Sequence, residues 1–386
     1  MIGHALEGEL LTELHELQAI APEWEHLATV NALPLSLPEW SFAWLRHMAP
    51  AGAAPRVVAV RDKGSLVGLV PMFVEEAKGG RIDYRLLGSP CARLSPLAIP
   101  GREWEVARVA GRVLRNADPC PDAIALEAHP LASVWPTALT HMWPSAVTPV
   151  RTQYSVHSSL TVTLRQPCFD SWLATKSKSY RTEMRHKRRE FEKAGGTVRV
   201  STPETVRGDV AALIDLHRER WRARGSSTIC ANEAAWQAYY TDVGEAYAAD
   251  GRFRLTVLEI DGAPICLQLA TAAGGEIMTL NGGWDETYAR LSPAVLCLVA
   301  KVQQGIEHGD SRLDLAMGEQ SFKLRLADSN NPIAWTLIMV PNARLALTAA
   351  RTAPMLTRRA VRGAAKRALS DEKCQRMRDL RHALRG

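Results

Sequence analysis

Alternation of hydrophobic and polar residues predicts two β-hairpins, one in each half of the chain. In the first, residues 56–74 form two apolar runs joined by Asp62-Lys63-Gly64. In the second, residues 253–260 and 264–271 are joined by Asp261-Gly262. Each turn ends in glycine, which adopts the positive φ of a tight hairpin turn without steric cost. The shared pattern predicts a related β-sheet in each half.

The other periodic segments complete an α/β (α+β) arrangement of two related halves. Helices are predicted at residues 9–27, 38–48, 102–116, 180–193 and 203–224 and after Ser292-Pro293, and strands at 123–128, 197–201, 278–282, 312–315 and 335–340. We expect each half to be a mixed, mostly antiparallel sheet flanked by helices. The predicted boundaries are 1–150 for the first half, 151–342 for the second half and 343–386 for a basic helical tail.

The segment from Met278 onward contains the most informative local pattern, a strand that leads through a polar loop into a helix. Ser292 suits the N-cap position, and Pro293 suits the first helical position, where its missing N–H costs nothing. The first N–H groups of a helix are unpaired and lie at the positive end of the helix dipole, which favours phosphate binding. The alternative is a plain strand-to-helix connection.

Two motifs in this segment resemble those of a known enzyme family. They are Ser292-Pro293-Ala294 at the helix start and Asp314-Leu315-Ala316-Met317-Gly318-Glu319-Gln320-Ser321-Phe322-Lys323 downstream. They resemble the CelD/BcsL-like branch of the GNAT acyltransferase superfamily, which is related to the FemABX peptidoglycan aminoacyl transferases. The resemblance is strongest over residues 178–340 and fainter over 40–126. One departure concerns the GNAT pyrophosphate loop, which usually contains glycines, whereas residues 290–295 contain none.

The resemblance implies direct attack of an amine or hydroxyl on an acyl-CoA thioester, without a covalent enzyme intermediate. Glu319 is then the first candidate for the general base and Asp314 the alternative, while Tyr288 is the candidate proton donor to the departing thiolate. Each residue also has a structural explanation: a solvated carboxylate, a strand-end cap and a packed ring, respectively.

The same resemblance implies two groups of binding residues. The predicted cofactor-binding residues are Asn281, Gly282, Arg290, Ser292, Ala294, Lys301 and Lys323. The predicted acceptor pocket contains His217, Arg220, Trp221 and Asp285. A histidine on an apolar helix face more often serves packing than catalysis, so the role expected of His217 is to shape the pocket.

Composition and charge limit the other possibilities. The chain has 386 residues, with 46% hydrophobic and 23% charged, which are ordinary globular values. Six of its eleven tryptophans, at positions 24, 40, 44, 104, 135 and 143, predict a substantial core in the first half. Residues 343–386 contain 12 Lys and Arg against 3 Asp and Glu, so the net charge of +6 comes from the tail. The seven cysteines lack zinc spacing, and we expect no bound metal.

The sequence thus predicts an acyl-CoA-dependent N- or O-acyltransferase with no permanently bound cofactor. The expected acceptor is a polar small molecule or a precursor of the cell envelope or of a polysaccharide. No DNA partner is expected. Two alternatives stay open: a FemABX-like transferase that uses aminoacyl-tRNA, and a non-catalytic binding or scaffold protein. Without a signal peptide or spanning segment, we expect a cytoplasmic protein, or one at the inner membrane face if the tail contacts anionic lipid or an acidic partner.

Overall fold

A computed structural model describes residues 6–77, 79–88, 93–222 and 227–368, which form two β-sheets flanked by helices. The strands are β1 (Glu7–Leu11), β2 (Ala54–Asp62), β3 (Ser65–Ala77), β4 (Arg81–Leu86), β5 (Leu97–Ala98), β6 (Ala123–Pro130), β7 (Val150–His157), β8 (Ser159–Thr163), β9 (Gly196–Val200), β10 (Phe253–Ile260), β11 (Ala263–Ala273), β12 (Glu276–Trp284), β13 (Arg312–Met317), β14 (Ser329–Asn330) and β15 (Ile333–Met339). The α-helices are α1 (Leu14–Ala19), α2 (Ala21–Val30), α3 (Pro38–His47), α4 (Glu103–Arg115), α5 (Trp135–His141), α6 (Phe169–Ala174), α7 (Lys178–Lys193), α8 (Val206–Arg222), α9 (Thr228–Ala231), α10 (Glu233–Tyr247), α11 (Pro293–Glu307), α12 (Ser321–Leu326) and α13 (Leu345–Ala368).

The two sheets repeat one connectivity. The first has the order β1-β2-β3-β4-β6-β15-β7, with β5 paired to β3, and the second has the order β14-β8-β13-β12-β11-β10-β9. In each sheet an antiparallel meander is followed by a helix and then by a strand parallel to the last meander strand. The parallel pairs are β4 with β6, joined through α4, and β12 with β13, joined through α11. The prediction of two related mixed sheets is therefore confirmed.

Both predicted hairpins are present. The turn between β2 and β3 has positive φ at Lys63 (50°) and Gly64 (85°), and the turn between β10 and β11 has positive φ at Asp261 (51°) and Gly262 (76°). Two consecutive residues with positive φ match the twist of the flanking strands, which explains why each turn ends in glycine.

Two predictions about element placement are wrong. Residues 335–340 were expected to complete the second half, but β15 pairs with β6 and β7 in the first sheet. The second sheet instead takes β8, which pairs with β13. The chain thus crosses between the sheets at β7–β8 and returns at β14–β15. The helix predicted at 9–27 is wrong at its start, because residues 7–11 pair with β2 as an edge strand and the helical part begins with α1 at Leu14 and continues as α2 from Ala21.

The main hydrophobic core joins the two sheets through aromatic side chains. Five of the six first-half tryptophans are buried, and Trp104 is 40% exposed. Trp40 on α3 donates from its indole N–H to Thr271 Oγ1 on β11 (3.1 Å) and stacks on Phe253 of β10. The first half therefore packs directly on the back of the second sheet.

The described part of the basic tail, α13, lies on the first sheet. Arg344 forms an ion pair with Asp122 (3.2 Å), and the guanidinium of Arg359 lies 4.4 Å from the ring centre of Tyr154. The side chains of Arg362 and Lys366, which continue the predicted basic stripe, lie outside the described residues. Among the described helices, including α13, we find none with the length and hydrophobicity to cross a bilayer.

Candidate functional site

The separation of two parallel strands forms the centre of the candidate site. β12 and β13 pair only from Glu276↔Arg312 to Met278↔Asp314. Beyond this point β12 continues to Trp284, while β13 continues to Met317 and pairs with β8. The side of β12 that faces β13 is therefore left without a strand neighbour beside the start of α11.

The end of β12 is shaped by a bulge and by close contact with α8. The register with β11 shifts between Gln268 and Ala270, which face Gly282 and Thr279 respectively. A Cβ atom on Gly283 would lie 2.5 Å from the backbone nitrogen of His217, so only glycine permits this approach. The bulge turns the backbone of residues 280 and 281 away from regular pairing.

His217 is part of the support for this strand end. Its Nδ1 lies 3.0 Å from the carbonyl oxygen of Gly282, and its Nε2 lies 2.7 Å from Ser227 Oγ. Nδ1 must donate to the carbonyl, so Nε2 of the neutral ring accepts from the serine hydroxyl. Burial lowers the pKa of His217, which favours this neutral form.

Three of the four predicted acceptor-pocket residues gather around the end of β12. The ring of Trp221 stacks on His217, and the guanidinium of Arg220 lies 5.1 Å from the ring centre of Trp284. Asn281, predicted to contact the cofactor, donates to the hydroxyl of Tyr240 on α10 (2.5 Å). Asp285 instead accepts from the N–H of Thr287 (2.8 Å) and caps the short 3₁₀ helix Glu286–Leu291.

The start of α11 combines a helix N-terminus with a lysine from another helix. Ser292 occupies the N-cap position and Pro293 the first turn, as predicted, but Ser292 has φ 55° and makes no side-chain cap bond. Its hydroxyl accepts a hydrogen bond from Nζ of Lys187 on α7. A lysine therefore lies where the helix dipole is positive, and both features favour an anion.

The loop before α11 differs from a phosphate-binding loop built from free amides. The N–H of Tyr288 donates to the carbonyl of Asp285 (3.1 Å), and that of Ser292 to the carbonyl of Ala289 (2.9 Å). The ring of Tyr288 packs against an apolar cluster beneath the loop, and Arg290 is exposed. With these amides bonded internally, side-chain cations must supply most of the attraction for phosphate.

A cavity of about 100 Å³ opens beside the start of α11. Its lining comes from α7, α11 and α12 and comprises Tyr180, Glu183, Met184, Lys187, Ser292, Val295, Ser321, Phe322 and Arg325. Ala294 lies in the first turn of α11 next to this cavity. Lys187 and Arg325 give the cavity two cationic side chains, and both form ion pairs with Glu183 (3.6 and 2.7 Å), so the lining has a net charge of one positive unit.

The prediction that Lys301 contacts a cofactor phosphate is wrong. Lys301 lies in the third turn of α11, is 2% exposed and faces the sheet. Its Nζ donates to the carbonyl of Gln268 (2.6 Å) and to Thr256 Oγ1 (3.0 Å). Burial lowers its pKa to about 8. The ammonium is fully engaged inside the domain and is turned away from the helix start.

Asp314, the alternative base, belongs to a buried ion pair. It is 0% exposed and pairs with Nε of Arg93, which comes from the first half of the chain. Its other oxygen accepts from Ser159 Oγ and from the N–H of Ala316, both at 2.7 Å. A carboxylate that is fully buried and held in an ion pair is not accessible to a substrate, so its burial and its contacts argue against the catalytic role.

Glu319 and Lys323 lie just beyond the end of β13. Glu319 is exposed and accepts a hydrogen bond from Ser158 Oγ. Lys323 donates to the carbonyl oxygen of Met317 (2.8 Å), and burial lowers its pKa to about 8. Lys323 therefore braces the strand end and does not line the cavity at the start of α11.

Sequence reasoning missed Lys187 and Arg93. Lys187 lies in a basic run of α7, which by itself reads as a solvated surface. Arg93 lies 221 positions before Asp314 in the chain, and no local pattern connects them. The only usable signal for Lys187 was its place in a helix predicted to belong to the same half as Ser292.

Comparison with known proteins shows which family and which solved structures the chain resembles. Residues 178–324 match the Acetyltransferase (GNAT) domain family. The crystal structure of FemX is similar with a TM-score of 0.61, 11% sequence identity, and coverage of 88% of this chain and 98% of FemX. The C-terminal DUF2156 domain of an Agrobacterium fabrum protein, provisionally named a lysylphosphatidylglycerol synthetase, gives a TM-score of 0.54, 10% identity, and coverage of 87% and 96%.

A third structure, a conserved protein of unknown function from Bacteroides thetaiotaomicron, gives a TM-score of 0.51, 11% identity, and coverage of 86% of this chain and 100% of that protein. No curated protein matches the chain significantly in sequence. At these identities the structural similarities show a shared fold that extends over both sheets.

Proposed function

We propose, on the premise of the match between residues 178–324 and the GNAT acetyltransferase domain family, that the chain transfers an acyl group from acyl-CoA to an amine or hydroxyl by direct attack. The observation that carries this proposal is the separation of β12 from β13 beside the start of α11. The pantetheine arm of CoA contains amide groups, which can pair with the exposed edge of β12 as an added strand does. The diphosphate then lies at the start of α11.

Cationic side chains hold the diphosphate in this proposal. Lys187 is bonded to Ser292 at the helix start, and Arg325 lines the same cavity. Both cations also pair with Glu183, so a bound diphosphate would share them with this carboxylate. Pro293 supplies no N–H, and the amides of Tyr288 and Ser292 are bonded within the loop. Charge–charge attraction and the dipole of α11 therefore replace the amide cradle of a glycine-rich loop.

Glu319 is the proposed general base. It is exposed just past the end of β13, and its hydrogen bond from Ser158 leaves further lone pairs on the carboxylate. The base removes a proton from the attacking amine or hydroxyl, and the departing thiolate needs a proton in return. Tyr288, in the loop before α11, is the proposed donor of that proton. Backbone N–H groups at the bulge of β12, near Asn281 and Gly282, are proposed to stabilise the oxyanion.

The acceptor is proposed to enter at the end of β12, where His217, Arg220 and Trp221 gather. This surface combines an aromatic ring, a guanidinium and polar groups, which suits a polar small molecule or a precursor of the envelope or of a polysaccharide. His217 keeps the strand end in place and is not assigned as a base, because both ring nitrogens are engaged.

Ligand-induced stabilisation tests the donor. Scanning fluorimetry with acetyl-CoA, longer acyl-CoAs, CoA and bulk tRNA at two salt concentrations should show a salt-tolerant shift with one acyl-CoA. Ligand at 100 times its Kd stabilises the folded state by about 2.7 kcal/mol. Lys187→Gln should weaken the shift, while Lys193→Gln, an exposed lysine on the same helix, should not. Absence of any shift with CoA compounds would rule the proposal out.

A FemABX-like aminoacyl transfer from tRNA is the second candidate. It is favoured by the internally bonded amides of the loop before α11, which leave a poor cradle for the CoA diphosphate. In that case bulk tRNA, and no CoA compound, should stabilise the protein, and the effect should fall steeply with salt.

A further inference from the structure

Two adjacent cavities lie at the starts of two helices, α11 and α7. The cavity at the start of α11 shares Tyr180 and Arg325 with a larger cavity of about 420 Å³. The larger cavity is lined by residues of β8, α6, the start of α7, α12 and the segment after α12, among them Trp172, Lys176, Ser177 and Asp328. The two cavities are therefore neighbours, and we call them together the trough: the smaller one contains Ser292 at the start of α11, and the larger one contains Ser177 at the start of α7.

Two buried hydrogen-bond donors along this trough have no acceptor in the described chain. They are the hydroxyl of Tyr180 and the indole N–H of Trp172, whose residues are 3% and 1% exposed. Both side chains line the larger cavity. Because a helical side chain leans toward the helix N-terminus, Tyr180 in the first turn of α7 leans toward Ser177. A buried donor without a partner is costly, so the pair indicates a ligand that supplies acceptor atoms.

Two cations and one carboxylate line the larger cavity, so its lining has a net positive charge. Lys176 Nζ lies 5.0 Å from the ring centre of Trp172 and donates to the carbonyl of Leu326 (2.6 Å). The guanidinium of Arg325 lies 5.2 Å from the ring centre of Tyr180 and also forms an ion pair with Glu183 (2.7 Å), which partly neutralises its charge. The one carboxylate in the lining, Asp328, already accepts from the N–H of Thr163 (2.9 Å) and from its hydroxyl (3.0 Å).

The N-terminus of α7 adds to this attraction. The helix has 16 residues, and Ser177 caps it by accepting from the N–H of Tyr180 (3.3 Å). The positive end of its dipole therefore lies at the cavity wall. Helix start, two cations and two unpaired donors converge on one place.

We propose that this cavity is a second phosphate subsite, which binds a phosphate monoester at the nucleotide end of the donor. The inference rests on the proposed function, which places the donor diphosphate at Lys187. Tyr180 and Lys187 are seven residues apart on α7, or about 10 Å, so one extended nucleotide can bridge the two subsites. CoA carries such a group, the 3′-phosphate of its ribose.

Calorimetric titration of CoA and of dephospho-CoA, which lacks the 3′-phosphate, tests this subsite. The unmodified chain should bind CoA at least about tenfold more tightly, since a hydrogen bond to a charged group contributes about 1.5–3 kcal/mol. Lys176→Gln and, separately, Tyr180→Phe should bring the two affinities close together by weakening CoA alone. Lys178→Gln removes an exposed lysine of the same helix start and should leave the ratio unchanged.

The outcomes separate the inference from the function on which it rests. If both compounds bind equally to the unmodified chain, the second subsite is refuted while CoA as donor stands. If both compounds fail to bind, the acyl-CoA proposal fails and the subsite fails with it. A CoA preference that survives in Tyr180→Phe and Lys176→Gln would also overturn the assignment. Tyr180→Phe keeps the ring, so it reports on the hydroxyl even if Lys176→Gln disturbs the packing of α12.

Discussion

The two halves of the molecule share a connectivity, but the starts of their equivalent helices are chemically opposite. α4 and α11 each lie between the last meander strand and the strand parallel to it. The first turn of α4 contains Glu103 and Glu105, and Glu103 accepts from the N–H of Gly101 (3.2 Å). The first turn of α11 has no acidic residue and receives Lys187 from α7. The first helix start is thus occupied by the protein's own carboxylates, whereas the second is suited to a ligand's phosphate.

The two halves also differ beside the strands that form their parallel pairs. In the first half the N–H of Arg93 donates to the carbonyl of Ala128 on β6 (2.7 Å), so the chain itself adds to the free side of that strand. The side chain of Arg93 then reaches Asp314 at the end of β13. The first half therefore acts as a support for the second. The two halves share a fold but differ in role, and a few side chains at the helix start distinguish the supporting half from the half that contains the candidate site.

Loss of the ion pair between the halves should have the largest effect. Arg93→Ala leaves Asp314 as a buried carboxylate without its cation, which costs about 3–5 kcal/mol in similar cases. Urea denaturation should show this loss in the free energy of unfolding. Arg207→Ala, which removes an exposed pair with Glu245, should cost under about 1 kcal/mol. Equal effects of the two substitutions would mean that the halves do not depend on Arg93.

Removal of the proposed general base should have the second largest effect. The residues after β6, 131–134, carry no titratable side chain, whereas β13 is followed by Glu319. Glu319→Gln should slow thiol release from acyl-CoA in the presence of acceptor by about a hundredfold or more, with little change in melting temperature. Glu307→Gln, an exposed glutamate on α11, serves as the control. Normal turnover in Glu319→Gln would remove the base assignment.

Giving the start of α11 an acidic residue like those of α4 should have a smaller effect, on the affinity for CoA. Ala294→Glu places a carboxylate in the first turn of α11, as in α4, and should weaken CoA binding by about tenfold through repulsion of the diphosphate. Glu103→Gln in the first half should leave CoA affinity unchanged, because its helix start lies in the other sheet. If Ala294→Glu binds CoA normally, the donor phosphates lie elsewhere.

The sequence predicted those features that depend on local patterns. The hairpins follow from alternation around Lys63-Gly64 and Asp261-Gly262, and the start of α11 follows from Ser292-Pro293. The exchange of β8 and β15 between the sheets leaves no such trace, because either strand would satisfy the same alternation in either sheet. Long-range partners such as Arg93 with Asp314 are likewise fixed by topology and not by spacing.

Within the candidate site, predictions failed for residues whose type and position in the sequence fit two different roles. The resemblance implied that Lys301 contacts the phosphates, but the third turn of α11 directs it toward the carbonyl of Gln268. Asp314 lies in a recognisable motif, yet the same pattern fits a base and a structural anion. Only the position of the first half distinguishes them, since Arg93 comes from there.

The last prediction concerns two buried acids at equivalent positions in the parallel pairs. Glu276 is opposite Arg312 and Asp83 is opposite Ala123, and burial raises the pKa of each carboxyl despite a nearby arginine. For Glu276 the pKa rises from 4.5 to about 7. Between these values the unfolded chain has lost the proton that the folded chain retains, so stability falls as pH rises and becomes level above about 7.

Glu276→Gln should therefore flatten the dependence of unfolding free energy on pH between about 5 and 7, by at most about 1.4 kcal/mol per pH unit. Urea denaturation at several pH values measures this slope. Asp83→Asn is the matched change in the first half. The pKa of Asp83 is raised from 3.8 and by less than that of Glu276, so this substitution should change the slope at lower pH. An unchanged slope in Glu276→Gln would mean that the ion pair with Arg312 (2.6 Å) outweighs burial and keeps the carboxylate charged. The two acids would then differ in the balance of burial and pairing, although the fold places them alike.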